Sequence, residues 1–330
     1  MIKIKLSLVE PTLPIIRQTP GKAGVWDNCE FYINKDISEC DYWVVYDNLN
    51  NTETTLCDQH NTILITAEPP SVKRYSKDFL KQFHTVVTCQ STIKRPETII
   101  RQQSLIWMAG VTYDRNERRW VTEDCLGYDE LKENKQHDKE NKVCIITSNK
   151  TITKGHQLRL DFVMQLKEAL GDRLDIFGHG FSLVGDKYEV FSKYRYVLVI
   201  ENSYFNDYWT EKLSDAYLSD AYPIYYGCPN IKEYFSPDAF TEIDITKPEA
   251  AISKIRELLD GNVYEQSVAA LKVAKTQVLD QYNLFAMVAD LVKNRPVSAK
   301  VPTTIQPQQP GFLSKMKRLV FKIAGIKRKQ

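Results

Sequence analysis

Short apolar runs alternate with amphipathic stretches along this chain, and the period of each run names its element. Residues 2–8 (IKIKLSL) carry an apolar side chain at every second position, as a strand with one covered face does. Residues 42–46, 62–66 and 84–89 are rich in β-branched and aromatic side chains and end in polar or turn residues, the form of parallel strands feeding surface loops. Residues 73–83 read as a connecting helix. Further strands are expected at 143–147, 175–177, 194–200, 223–226 and 239–243. Of these, YRYVLVI at 194–200 lacks alternation, as in a strand covered on both faces. A helix after the strand at 143–147 places Leu158, Phe162, Val163, Leu166, Ala169 and Leu170 on one side, with Gly171 past its end. Helices at 248–259 and 263–291, the second broken within, close the second half. Alternating strands and helices in both halves predict two doubly wound α/β domains.

Three segments fall outside that rhythm. The charge run at 129–142 (DELKENKQHDKENK) has no apolar period and reads as a solvated interdomain linker or exposed helix. Residues 295–311 (RPVSAKVPTTIQPQQPG) have the composition of a flexible or extended linker. Beyond it, Leu313, Met316, Leu319, Val320, Ile323 and Ile326 recur at helical spacing among lysines and arginines, a basic amphipathic helix suited to an anionic membrane surface. The expected organisation is a first α/β domain over 1–140, a second over 141–295, a linker over 296–311 and a basic tail over 312–330.

With 330 residues, 43% of them hydrophobic, the chain is long and apolar enough for two substantial cores. Its net charge of +2 hides an asymmetry, because the last eighteen residues hold seven Lys or Arg and no acid. The remaining body has 37 basic against 42 acidic residues, which does not suit a nucleic-acid protein. Seven cysteines without a C-x-x-C pair read as reduced thiols, several of them in apolar runs, in preference to a disulfide framework or a zinc site. The N-terminus reads as a strand and not as a signal peptide, and no run approaches the ~18 apolar residues of a membrane span. P-loop, G-x-G-x-x-G, H-E-x-x-H and G-x-S-x-G motifs are all missing, so phosphoryl-transfer and hydrolase readings lack their parts.

The most informative stretch is 201–227, ENSYFNDYWTEKLSDAYLSDAYPIYYG, which follows the buried strand. Thr210 stands at a helix N-cap with Glu211 and Lys212 in the first turn. A helix N-terminus offers unpaired N–H groups and partial positive charge to a phosphate. Lys212 adds a full charge, and Glu211 is placed to accept from sugar hydroxyls. Such a strand–loop–helix unit suits a nucleotide sugar.

The same 27 residues, through ENS, Tyr208, TEK and PIYYG, closely resemble the donor-binding motif of the α-1,3/4-fucosyltransferases, glycosyltransferase family 10, in their bacterial form. Ser148–Lys150 with Arg159, Phe162 and Leu166 resembles the family's segment bearing a phosphate-contacting arginine, and DIFGHG at 175–180 resembles its "ID.FG.G" turn. The resemblance implies the GT-B architecture, in which two Rossmann-like domains face each other across a cleft. It also implies an inverting transfer of fucose from GDP-fucose to a glycan hydroxyl, the 3-OH of GlcNAc or glucose in a lipopolysaccharide-type oligosaccharide or glycolipid. The stretch 26–34 then reads as an acceptor-facing loop.

Inverting transfer needs a base for the acceptor hydroxyl and a counter-charge for the departing diphosphate. Many transferases supply the second with a metal held by D-x-D, which this chain lacks, so no metal or other cofactor is expected and Arg159 and Lys212 are the candidate cations. On pattern alone Arg159 is an exposed residue early in a helix; the resemblance makes it a phosphate ligand. Glu68 follows an apolar strand and precedes Pro69 and Pro70, and the resemblance makes TAEPPS the counterpart of the family's base segment. By the same resemblance Asn202, Tyr208, Glu211 and Lys212 bind the donor, while Glu201 caps or orients the loop. His179, between Gly178 and Gly180, is a further candidate for donor contact. The expected setting is the inner face of a bacterial cytoplasmic membrane, with the tail as peripheral anchor. A transferase using another GDP-sugar, and a membrane-tethered nucleotide-sugar-binding protein without catalysis, are the alternatives.

Overall fold

A computed structural model describes residues 1–133, 138–149, 154–296 and 299–309. The alternating segment Ile2–Leu8 forms β1, followed by β2 (Val25–Trp26), β3 (Cys29–Ile33), β4 (Tyr42–Tyr46), β5 (Glu53–Cys57), β6 (Thr62–Ile65), β7 (Thr85–Thr88) and β8 (Glu97–Ile100). All but β5 join a sheet of order β2-β3-β1-β4-β6-β7-β8, parallel except for β2. Ile4, Leu6 and Leu8 face one core layer as the alternation requires. Lys5, on the other face, is also buried, because its Nζ lies 3.0 Å from a Glu53 carboxylate oxygen and donates to the Lys35 carbonyl at 2.8 Å.

Two expectations in this half need correction. The stretch 26–34, expected as an acceptor-facing loop, is mostly β3, with Cys29 and Phe31 buried against β1. Its apolar positions do alternate, but over too few residues to stand out from the polar side chains between them. The helix expected over 73–83 shrinks to the single turn α1 (Lys77–Leu80), capped by Ser76. Upstream, the amides of Val72 and Lys73 both donate to the Pro69 carbonyl, so the chain is still turning there.

The chain then forms a small hairpin of β9 (Tyr113–Asp114) and β10 (Arg119–Trp120), and the short α2 (Tyr128–Lys132). Leu131 of α2 is buried, so the charge run begins on a packed helix. The second domain follows as β11 (Glu140–Ile146), α3 (Lys154–Leu170), β12 (Leu174–Phe177), α4 (Lys187–Phe191), β13 (Tyr194–Ile200), α5 (Glu211–Leu218), β14 (Tyr222–Tyr226), β15 (Thr241–Glu242), α6 (Pro248–Asp260) and α7 (Val263–Asp280). Its sheet is wholly parallel, of order β12-β11-β13-β14-β15. Helix α3 buries Phe162, Val163, Leu166 and Leu170, the stripe its spacing foretold. The order reverses between β11 and β13, where open α/β sheets hold their ligands. Two doubly wound domains facing across a cleft make this the GT-B arrangement that the sequence led us to expect.

The chain does not end in the second domain. Residues 281–283 break the expected helix, Asn283 caps a new one, and α8 (Leu284–Val292) buries Leu284, Phe285, Met287, Val288 and Val292 in the core layer of β1, β4 and β6. Phe285 meets Phe31 edge to face, with ring centroids 4.8 Å apart. Each such side chain stabilises the return by at most about 1.5–3 kcal/mol. The linker expected over 296–311 contains β16 (Val301–Ile305), which pairs antiparallel with β5 and buries Ile305. Its Thr-rich core has strand propensity, and Pro302 is tolerated on an edge strand. The tail expected over 312–330 lies outside the described residues. Among those described, no helix is long and apolar enough to cross a membrane.

Candidate active site

The site is organised by Glu201, the first residue after β13. Its buried carboxylate accepts from the Thr210 amide and the Thr210 hydroxyl, both at 2.8 Å, pinching the intervening loop into a closed turn. The same Thr210 oxygen caps α5 by accepting from the Lys212 amide, as its N-cap position requires. Lys212 folds back so that its Nζ lies 3.2 Å from Glu201 Oε2 and 2.9 Å from Thr210 Oγ1. Glu211 stands between two ammonium groups, 3.6 Å from Lys212 and 3.5 Å from Lys187. Burial alone would raise the Glu211 carboxyl, but the two lysines outweigh it and hold it down at about 2. Burial likewise lowers Lys212, and Glu201 and Glu211 reverse the sign, keeping it protonated.

Arg159, on α3, is 7% exposed, where its pattern alone suggested a surface residue. One guanidinium nitrogen donates to Asn202 Oδ1 at 3.0 Å, which joins two of the expected donor ligands. Its Nε is buried without a hydrogen-bond partner, and no carboxylate pairs with Arg159 among the described residues. Burial lowers its pKa from the usual arginine value. The Thr147 hydroxyl, just past β11, is also buried, with no hydrogen-bond partner among the described residues. Arg159, Thr147, Lys187 and Lys212 line one cavity between the C-terminal ends of β11 and β13. Lys187 and Lys212 have carboxylate partners there, whereas Arg159 has none among the described residues, and burying a guanidinium unpaired is costly.

Glu68 approaches from the other domain, half-buried on the loop after β6, and its Oε2 accepts from the Tyr208 hydroxyl at 3.2 Å. The loop is braced: Gln90 Nε2 donates to the Glu68 carbonyl at 2.8 Å, and the Ala67 amide donates to the Tyr75 hydroxyl at 3.1 Å. Tyr75 and Lys73 in turn both reach Asp47. Burial raises the Glu68 carboxyl above its ordinary value, and the Tyr208 hydrogen bond opposes that rise. Ser71 and Ser203 hydrogen-bond at 2.9 Å beside this contact, so the two loops meet across the cleft.

The structure thus brings Arg159, Asn202, Glu211 and Lys212 together in one domain, and Tyr208 carries the contact to Glu68. His179 is separate. It is exposed on the turn after β12, where its carbonyl accepts from the Asn149 amide at 3.0 Å. Gly178 and Gly180 flank it at φ +113° and +87°. A Cβ at either would collide with Thr147 or Asn149, so these glycines let the turn pack against the segment that carries Thr147.

Two residues escaped the sequence reading. Lys187 begins α4, a helix too short to show a period. Asp215 is fully buried in α5 and accepts from Lys187 Nζ at 2.7 Å. An acid inside an otherwise apolar helical face (LSDAYL) was the available signal for Asp215.

Residues 136–266 match the family model "Glycosyltransferase family 10 (fucosyltransferase) C-term", a span that holds every expected site residue except Glu68. Alpha-(1,3)-fucosyltransferase FucT of Helicobacter pylori is 38% identical over 76 residues, 23% of this chain and 16% of that protein. GDP-fucose protein O-fucosyltransferase 3 of Danio rerio is 33% identical over 82 residues, 24% of this chain and 18% of that protein. The chain therefore spans less than a fifth of the length of these two relatives. A crystal structure of an alpha1,3-fucosyltransferase with GDP superposes with a TM-score of 0.52 at 16% identity, over 86% of this chain and 92% of that one, a likeness of fold. Residues 136–266 are therefore similar to the C-terminal domain of the family 10 glycosyltransferases (fucosyltransferases).

Proposed function

We propose that the protein is an inverting fucosyltransferase that takes its sugar from GDP-fucose. The observation that carries this reading is the buried Arg159, without a carboxylate partner among the described residues, beside Thr147 and Lys212 at the N-terminus of α5, a place where a diphosphate supplies the missing anion. Glu211, kept ionised by its two lysines, accepts from ribose hydroxyls, and Asn202 and Tyr208 orient the donor.

In the reaction, Glu68 takes the proton of an acceptor hydroxyl as that oxygen bonds to the anomeric carbon. The bond from the anomeric carbon to the β-phosphate oxygen breaks on the opposite face, and its electron pair leaves with GDP. Arg159 and Lys212 balance the charge that gathers there. A raised carboxyl pKa suits Glu68 to this work, since a base nearer neutrality takes a proton more readily. The cations fill the place of a metal, so we propose a metal-independent mechanism. The proposed acceptor is the 3-OH of GlcNAc or glucose in a lipopolysaccharide-type glycan, and the basic tail would hold the enzyme peripherally at the inner face of a bacterial cytoplasmic membrane.

Calorimetric titration with GDP-fucose, GDP-mannose and UDP-galactose, followed by nucleotide release with and without N-acetyllactosamine, tests the reading. Selective binding of GDP-fucose with acceptor-stimulated GDP release is expected. Preference for GDP-mannose would move the protein to another GDP-sugar, and binding of none of them would remove the donor site altogether.

A further inference from the structure

We propose that Lys187 is a third cation of the diphosphate site and that Asp215 is the positioning residue that holds it there; this rests on the donor-site reading above. Lys187 lines the same cavity as Arg159 and Lys212, and its Nζ lies 2.7 Å from Asp215 Oδ2 and 3.5 Å from Glu211. An ammonium has three protons to donate, so two acidic neighbours leave one for a phosphate oxygen. Asp215 has no exposed surface, and its second oxygen accepts from the amides of Met108 and Ala109 at 2.7 and 2.8 Å. Those amides belong to the segment that crosses from the first domain to the second. One residue before Lys187, Asp186 grips the same segment, accepting from the Gly110 amide at 2.8 Å. The crossing segment is thus tied to both α4 and α5, the helices that carry Lys187, Glu211 and Lys212. A fully buried carboxylate with three donors from two other parts of the chain has a single available geometry, which it imposes on the lysine. The ammonium therefore meets the donor already placed, with little side-chain entropy left to lose.

The test is GDP binding by calorimetry for Lys187→Gln, Asp215→Asn and the double variant, each checked for folding by circular dichroism and melting. Lys187→Gln leaves the Asp215 contacts to Met108 and Ala109 in place and is expected to raise the GDP Kd about tenfold. Asp215→Asn is expected to raise it by a similar factor, and the double variant by no more than either alone, because both remove one placed charge. A folded Asp215→Asn with an altered Tm and a Kd within twofold of the parent would reduce Asp215 to a structural role and overturn the positioning. A hundredfold, multiplicative loss in the double variant would overturn it as well. Should Asp215→Asn not fold, Lys187→Gln decides: an unchanged Kd sinks the proposal. If Lys212→Ala weakens GDP binding and Lys187→Gln does not, this inference alone fails; if the parent protein binds no GDP, both readings fall.

Discussion

Replacing Arg159 with methionine separates a ligand-binding arginine from a structural one, because the two roles predict opposite signs. In the structure its guanidinium is buried, has one side-chain partner, Asn202, and pairs with no carboxylate among the described residues. Methionine of similar length forfeits that hydrogen bond, worth about 1 kcal/mol, and removes a buried ion whose desolvation costs several kcal/mol. Without nucleotide the variant should therefore melt no lower than the parent. With nucleotide the balance inverts. Two charge-assisted bonds to phosphate, at the lower end of about 1.5 kcal/mol each, amount to about 3 kcal/mol, or a rise of about a hundredfold in the GDP Kd. Thermal melts with and without GDP, read beside calorimetry, give both quantities on one sample, since a ligand raises Tm only as far as it binds. The reasoning is refuted if the variant melts several degrees lower without nucleotide and still binds GDP with the parent's affinity.

Glu68→Gln should abolish transfer while leaving the GDP-fucose Kd within about twofold, since the side chain keeps its shape and the proposed diphosphate cations lie in the other domain; normal turnover would remove Glu68 as base. Because burial raises its carboxyl pKa and the base must be ionised, kcat/KM should fall with decreasing pH on a limb above the ordinary glutamate value, measured as a pH–rate profile. Phe285→Ala, at 0% exposure against Phe31, should cost about 3–5 kcal/mol in denaturant unfolding followed by first-domain fluorescence, and no loss there would mean that α8 is not part of that core. Truncation after Pro296 removes β16, with Ile305 and the Thr303 hydroxyl bond to the Cys57 carbonyl, and should lower Tm and expose Cys57 to thiol reagents, whereas a passive linker would change neither.

What the chain determined locally is what its own periodicity and caps encode. Strands Ile2–Leu8, Tyr42–Tyr46 and Tyr194–Ile200 appear with the bounds read from the sequence, and Thr210 caps α5 as expected, because apolar period and a side-chain cap are properties of a few neighbouring residues. The ENS and TEK segments were legible for the same reason, since Glu201, Thr210 and Lys212 lie eleven residues apart or less and assemble by closing one loop. Tertiary structure decided the rest. No local pattern says that α8 leaves the second domain to cover the first, or that 301–305 finds an edge beside β5; both depend on which apolar face and which strand edge remained uncovered elsewhere. Asp215 and Lys187 meet across 28 residues, and Tyr208 reaches Glu68 across 140. Burial of Arg159 without an acid among the described residues belongs to the same class. A side chain's charge is written in the sequence, but whether that charge is satisfied depends on everything folded around it.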